Sequence, residues 1–166
     1  MAGSIEAPTY RWPEEGDARV PYWIYTDDGI YRREIERIFE GPTWSYAALE
    51  CELPNPGDYK RTTLGEKSVI IVRGRDGVIR GLLNQCAHRG TQVCQREAGN
   101  TGEFTCPYHQ WSYDLEGKLQ GLAFRRGVKG VGGMPDDFDA AAHGLKPVRA
   151  ISSKPSVTGT IPSARA

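Results

Sequence analysis

Cys86-Ala87-His88-Arg89-Gly90 and Cys106-Pro107-Tyr108-His109-Gln110-Trp111-Ser112-Tyr113-Asp114 are the stretches whose reading decides the fold of this 166-residue chain. The first holds a C-x-H box and the second a C-x-x-H box, with residues 89 to 105 between them. Two thiols and two imidazoles on two short loops can hold one metal centre from opposite sides. Each loop supplies one sulfur and one nitrogen. Mixed ligation of this kind suits a binuclear iron–sulfur centre with thiolates on one iron and histidines on the other. A tetrahedral structural zinc site is the second reading, although zinc modules commonly pair like with like, C-x₂₋₄-C followed by H-x₃₋₅-H. A Cys86–Cys106 disulfide is the third, and nothing in the composition points to an oxidising compartment.

Around the boxes the sequence resembles a known family. From about Pro21 to about Val148 the chain is similar to the Rieske domain of aromatic-ring-hydroxylating oxygenase large (α) subunits. The run Phe124-Arg125-Arg126-Gly127-Val128-Lys129, with Gly132-Gly133-Met134-Pro135, most resembles large subunits acting on salicylate or anthranilate. The resemblance implies a [2Fe-2S] cluster as cofactor, held at metal by Cys86, His88, Cys106 and His109. It implies no catalytic residue in this segment. A mononuclear Fe(II) is expected only in the full-length family protein.

Rieske proteins of respiratory and photosynthetic chains carry an extra Cys in each box and bridge the two. The matching positions here are Thr91 and Tyr108. Those proteins also place a serine five residues after the second-box Cys, where Trp111 stands here. Hydrogen bonds to cluster sulfur stabilise the reduced, more negative state. Losing one implies a potential toward the low end of the Rieske range, roughly −150 mV. Tyr108, Trp111 and Tyr113 are expected to wall the cluster from water. Gly90 is expected to permit a tight loop, and Arg89 to balance cluster charge or to be solvated. Cys51 and Cys94 fall at no ligand spacing and take no role.

The chain has three histidines. With His88 and His109 committed, His143 alone cannot complete the two-His, one-carboxylate site that oxygen activation at mononuclear iron needs. In the family a catalytic domain follows the Rieske domain. Residues 150–166, rich in Ser, Thr and Pro and without an aromatic residue, are expected to be a disordered or non-family tail. This implies a large subunit truncated before its catalytic domain.

The expected organisation is an arm and helix over residues 1–40, the Rieske domain over 41–149, and the tail. The fold class expected is mainly β, antiparallel sheets with a short N-terminal helical arm. Residues 1 to about 18 read as irregular. Asp27 or Asp28 can cap a helix running to Phe39, and Tyr31, Ile35, Ile38 and Phe39 form one apolar stripe on it. That stripe is expected either to fold onto the β-domain or to remain an exposed patch. Gly41-Pro42 ends the helix. Strands are expected over 44–49, 58–64, 68–73 and 78–83, the last two joined by a hairpin at Gly74-Arg75-Asp76-Gly77. Further short strands flank a turn at Glu116-Gly117.

Lys and Arg number 21 against 21 Asp and Glu, so no charge excess points to nucleic acid. No apolar run approaches membrane-spanning length, and the N-terminus lacks signal-peptide features, so a cytoplasmic location is expected. The expected function is the electron-transfer part of an aromatic-ring-hydroxylating oxygenase, an oxidoreductase, incomplete for catalysis alone. Its expected partners are an NAD(P)H-dependent reductase and/or ferredoxin, with a small (β) subunit and other large subunits. A free-standing Rieske ferredoxin-type carrier and a zinc-stabilised interaction module are the competing readings.

Overall fold

The computed structural model describes residues 11–14, 16–153 and 155–161. Ten strands carry the fold: β1 (Ser45–Leu49), β2 (Asp58–Leu64), β3 (Lys67–Arg73), β4 (Ile79–Leu83), β5 (Ala98–Asn100), β6 (Phe104–Thr105), β7 (Ser112–Tyr113), β8 (Leu119–Gly121), β9 (Pro147–Ser153) and β10 (Ser156–Thr160). Seven form one antiparallel sheet in the order β1-β10-β9-β4-β3-β2-β5, and β6-β7-β8 form a second, three-stranded one. The fold is mainly β, as the alternation and turn signals predict.

Strand β3 organises the packing. Val69, Ile70, Ile71 and Val72 are all fully buried. Because successive side chains point to opposite faces of a sheet, the run splits between two cores. Val69 and Ile71 join Ala47, Ala48, Leu53, Leu64, Val148 and Val157. Ile70 and Val72 join Leu82, Phe104, Trp111, Tyr113 and Leu115, together with Cys86 and Cys106. A continuous apolar run is what a strand covered on both faces requires. The metal-site loops therefore rest on one face of a sheet whose other face is packed independently.

The hairpin between β3 and β4 turns at Gly74–Gly77, with Gly74 N–H donating to Val78 O (2.8 Å) and Asp76 pairing with Arg80. The N-terminal segment holds a short helix, Trp23–Thr26, and a second, Asp28–Glu34, capped by Asp27 accepting from Ile30 N–H at 2.8 Å. The second helix continues to Phe39 as the sequence predicts, but as a wider π-turn, closed by Glu40 N–H to Ile35 O. Gly41 follows because a Cβ there would lie 2.2 Å from the Arg37 carbonyl oxygen. The helix is tied to the β2–β3 turn by polar contacts, Lys67 to Glu40 and Tyr31 Oη to Glu66. Of its stripe, Tyr31, Ile38 and Phe39 are exposed and only Ile35 is partly covered. No helix among the described residues is long and apolar enough to cross a membrane.

The disordered or non-family tail expected over residues 150–166 is corrected for 150–153 and 155–161, while residues 154 and 162–166 lie outside the described residues. Residues 147–153 and 156–160 are strands, and β10 lies between β1 and β9 with Val157 fully buried. Thr160 Oγ1 donates to Gly41 O at 3.0 Å, tying this end of the chain to the end of the helical arm. Ser156 and Thr158 are partly exposed, while Val157, Gly159 and Thr160 are buried and Ile161 packs against the core, so polar composition hid a half-buried strand. The irregular arm expected over residues 1–18 lies outside the described residues for 1–10. Residues 16–18 form a 3₁₀ turn.

Replacing Val157 with Ala should lower stability by about 1–3 kcal/mol, read as a fall in the urea midpoint with unchanged slope. An unchanged midpoint would show that the C-terminal strand pair contributes nothing to the core.

Candidate metal centre

Two six-residue loops, 86–91 and 106–111, share one backbone design. In the first, Cys86 N–H donates to Thr91 O (2.8 Å) and Gly90 N–H to Cys86 O (2.9 Å). In the second, Cys106 N–H donates to Trp111 O (2.8 Å) and Gln110 N–H to Cys106 O (3.0 Å). Each turn passes through the left-handed region at its fifth residue, Gly90 at φ 75° and Gln110 at φ 58°. Glycine suits that position, as expected of Gly90, while Gln110 holds it against a side-chain penalty. The shared turn brings the Cys of each loop to the inside and presents each His beyond it.

All four sequence-predicted residues meet here. Cys86 and Cys106 are buried, with 3% and 2% of their surface exposed, and all four cysteines of the chain are free thiols. His88 and His109 stand with ring centroids 4.6 Å apart and planes at 69°. The Nδ1 atoms of both are buried with no hydrogen-bond partner. An orphaned buried nitrogen is costly unless something bonds it, and neutral imidazole nitrogen is a metal donor. Donor type and burial thus fit a metal centre. Among the described residues, no three His, Cys, Asp or Glu side chains are placed to hold a single metal ion.

Electrostatics favour the neutral donor form of His88. Desolvation lowers its pKa most, and the neighbouring His109 and Arg89 lower it further. Below the ordinary imidazole range the unfolded chain would bind the extra proton more readily than the folded one. The stability this group contributes is therefore present above about pH 6.5 and is lost as pH falls. Arg89 itself is exposed.

Two functional neighbours were not legible beforehand. Tyr113 is fully buried, and its hydroxyl lies 3.2 Å from Cys86 Sγ and accepts from Ala87 N–H at 3.1 Å. Its pKa is raised, by burial first and then by the Cys86 contact, so it stays a phenol able to donate toward sulfur. The signal was available, since a buried tyrosine hydroxyl needs a partner. Asn84, 2% exposed, donates to Cys94 O and accepts from Cys94 N–H, both at 2.8 Å. It pins the segment after the first loop to the end of β4. Cys94 is buried, and burial raises its pKa, in keeping with a structural thiol.

Of the expected walls, Trp111 and Tyr113 are buried, whereas Tyr108 is 58% exposed and tilts over His109 at 3.8 Å. His143 is not isolated. It stacks on Phe138 at 4.5 Å and meets the edge of Trp111 at 6.0 Å.

Residues 43–131 match the Rieske [2Fe-2S] domain family. Over 139 residues the chain is 55% identical to the salicylate 5-hydroxylase large oxygenase component of Ralstonia sp, covering 81% of this chain and 33% of the relative. It is 48% identical to the anthranilate 1,2-dioxygenase large subunit of Burkholderia cepacia, covering 96% and 38%. Naphthalene 1,2-dioxygenase from Rhodococcus sp., solved with indole bound, superposes with a TM-score of 0.78 at 36% identity, covering 90% of this chain and 33% of that one. The chain spans about a third of the length of the curated relatives it matches.

Tyr113→Phe should cost roughly 1–3 kcal/mol, because Cys86 Sγ and Ala87 N–H lose their partner together. Urea denaturation of the metal-free chain measures this directly, and a loss under about 0.5 kcal/mol would remove the hydroxyl from the loop's support.

Proposed function

The chain belongs to the Rieske [2Fe-2S] domain family, and on that footing we propose that Cys86, His88, Cys106 and His109 hold its cluster for an aromatic-ring-hydroxylating oxygenase. The observation that carries the ligand assignment is the pair of buried, unpartnered Nδ1 atoms beside two buried thiols on matched loops. When bound, a cluster of this ligation accepts and releases one electron, thiolates holding one iron and histidines the other.

The protein's own residues divide the remaining work. Cys86 and Cys106 supply sulfur from inside the core. His88 and His109 turn Nδ1 inward on loops near the surface, so electron exchange takes place at the end of the domain. Against a Cys86 thiolate the Tyr113 hydroxyl, 3.2 Å from Sγ, would be the hydrogen-bond donor. This offsets part of what Trp111 forgoes by standing where a serine hydroxyl would. Trp111 and the apolar residues beneath exclude water.

The proposed role is relay. Electrons arrive from an NAD(P)H-dependent reductase, directly or through a ferredoxin, and pass on to a mononuclear Fe(II) outside this segment. The two relatives above are named for salicylate and anthranilate, which supports an aromatic acid as the substrate hydroxylated there. The exposed helical stripe fits burial against further large-subunit sequence. A cytoplasmic setting suits a partner that draws on NAD(P)H.

Anaerobic reconstitution should yield two iron and two acid-labile sulfide per chain and a Rieske-type EPR signal on reduction. A colourless protein binding one zinc would overturn the assignment. Changing any of the four ligands should abolish the signal, and a normal spectrum from His88→Ala would strike His88 from the set.

Tyr113→Phe should keep the cluster but lower its midpoint potential. A hydrogen bond worth about 1 kcal/mol corresponds to roughly 40 mV for one electron. A potential that stays the same or rises would mean the hydroxyl does not act on the sulfur.

A further inference from the structure

Metal-bound histidines are usually oriented by a hydrogen bond from the second ring nitrogen to a carboxylate or carbonyl. Among the described residues neither His88 nor His109 makes such a bond to the protein. Within this segment something else bears on each ring.

For His88 that something is visible. The indole of Trp111 lies against the imidazole at 4.8 Å with planes only 7° apart. Trp111 is 3% exposed, so the indole has little freedom to turn. It also meets Phe138 at 5.9 Å and 82° and His143 at 6.0 Å and 71°, both in edge geometry. Those two rings stack on each other, and His143 Nδ1–H donates to the Asp139 carbonyl at 2.7 Å, which fixes the outer ring of the group. Trp111 also joins the two loops. Its carbonyl closes the second loop by accepting from Cys106 N–H, while its side chain covers the histidine of the first.

His109 is held differently. Its partner Tyr108 is tilted by 34° and more than half exposed, and no second ring packs behind it among the aromatic contacts of the described residues. One ring is clamped and the other is loosely covered.

We propose that Trp111, backed by Phe138 and His143, is the positioning residue that fixes the ring plane of His88, leaving His109 the more adaptable of the two histidines. The proposal rests on the ligand assignment above. It also accounts for His143, which the cluster does not use.

The test is pulsed EPR on the reduced, reconstituted 166-residue chain labelled with ¹⁵N-histidine, in which each bound imidazole gives its own hyperfine coupling. Trp111→Leu should broaden one of the two couplings and leave the other sharp. Trp111→Phe, which keeps a flat ring, should restore the sharp pair, and Tyr108→Leu should leave the clamped histidine's coupling unchanged. Phe138→Leu and His143→Ala should broaden the same single coupling to a smaller extent, whereas His143→Phe should not. These outer variants decide the matter if Trp111→Leu does not fold. Two sharp couplings in Trp111→Leu, or in both outer variants where it does not fold, would overturn the positioning role, as would equal broadening of both. A parent spectrum without two histidine couplings would instead overturn the ligand set.

Discussion

Two imidazole nitrogens buried without a partner are the constraint on which this structure turns. Leaving a polar atom unsatisfied away from water costs about 1–3 kcal/mol, and His88 and His109 each carry such an atom at the same end of the domain. Packing and backbone hydrogen bonds hold the loops that carry them. Ile70, Val72, Leu82, Tyr113 and Leu115 form a continuous floor under both loops, and paired backbone hydrogen bonds close each turn on its own cysteine. Binding of metal to such a site is coupled to folding, because the donors are assembled only in the folded state. The loops are nevertheless formed by contacts independent of the ligand.

The double-sided burial of β3 explains how the site tolerates its own chemistry. A sheet packed on one face only would have to balance thiol and imidazole donors against the same core that stabilises the chain. Here Val69 and Ile71 anchor the far face with Val148 and Val157, so β9 and β10 stabilise the sheet without touching the loops. Asn84 joins the two sides. It sits at the end of β4, two residues before Cys86, with its amide spanning both backbone groups of Cys94 and reaching Ser68. A buried amide with its donors and acceptor engaged rigidifies rather than weakens.

How much of this was legible in the sequence follows the range of the signals. The boxes, the Gly74–Gly77 hairpin, the run Val69–Val72 and the helix cap at Asp27 are local, and each appears where its spacing places it. Partners distant in sequence were not legible. Residues 150–153 and 156–160 look solvated by composition, and become strands because β1, over a hundred residues earlier, offers an edge to pair with. The bond from Tyr113 to Cys86 spans 27 positions. The stack of Trp111 on His88 depends on the angle at which two loops meet, which no periodicity encodes. Tyr31, Ile38 and Phe39 lie exposed on the helical arm, and their spacing could not say what would lie against them.

The single spare histidine sets the chemical boundary of this segment. Oxygen activation at mononuclear iron needs two imidazoles and a carboxylate with coordination positions left open, and His143 is engaged in a stack with Phe138 and bonded to the Asp139 carbonyl. What these residues can perform is storage and release of charge, for which burial, a neutral donor at His88 and the Tyr113 hydroxyl beside the Cys86 sulfur are the relevant controls. Each lies within the two loops and the floor beneath them.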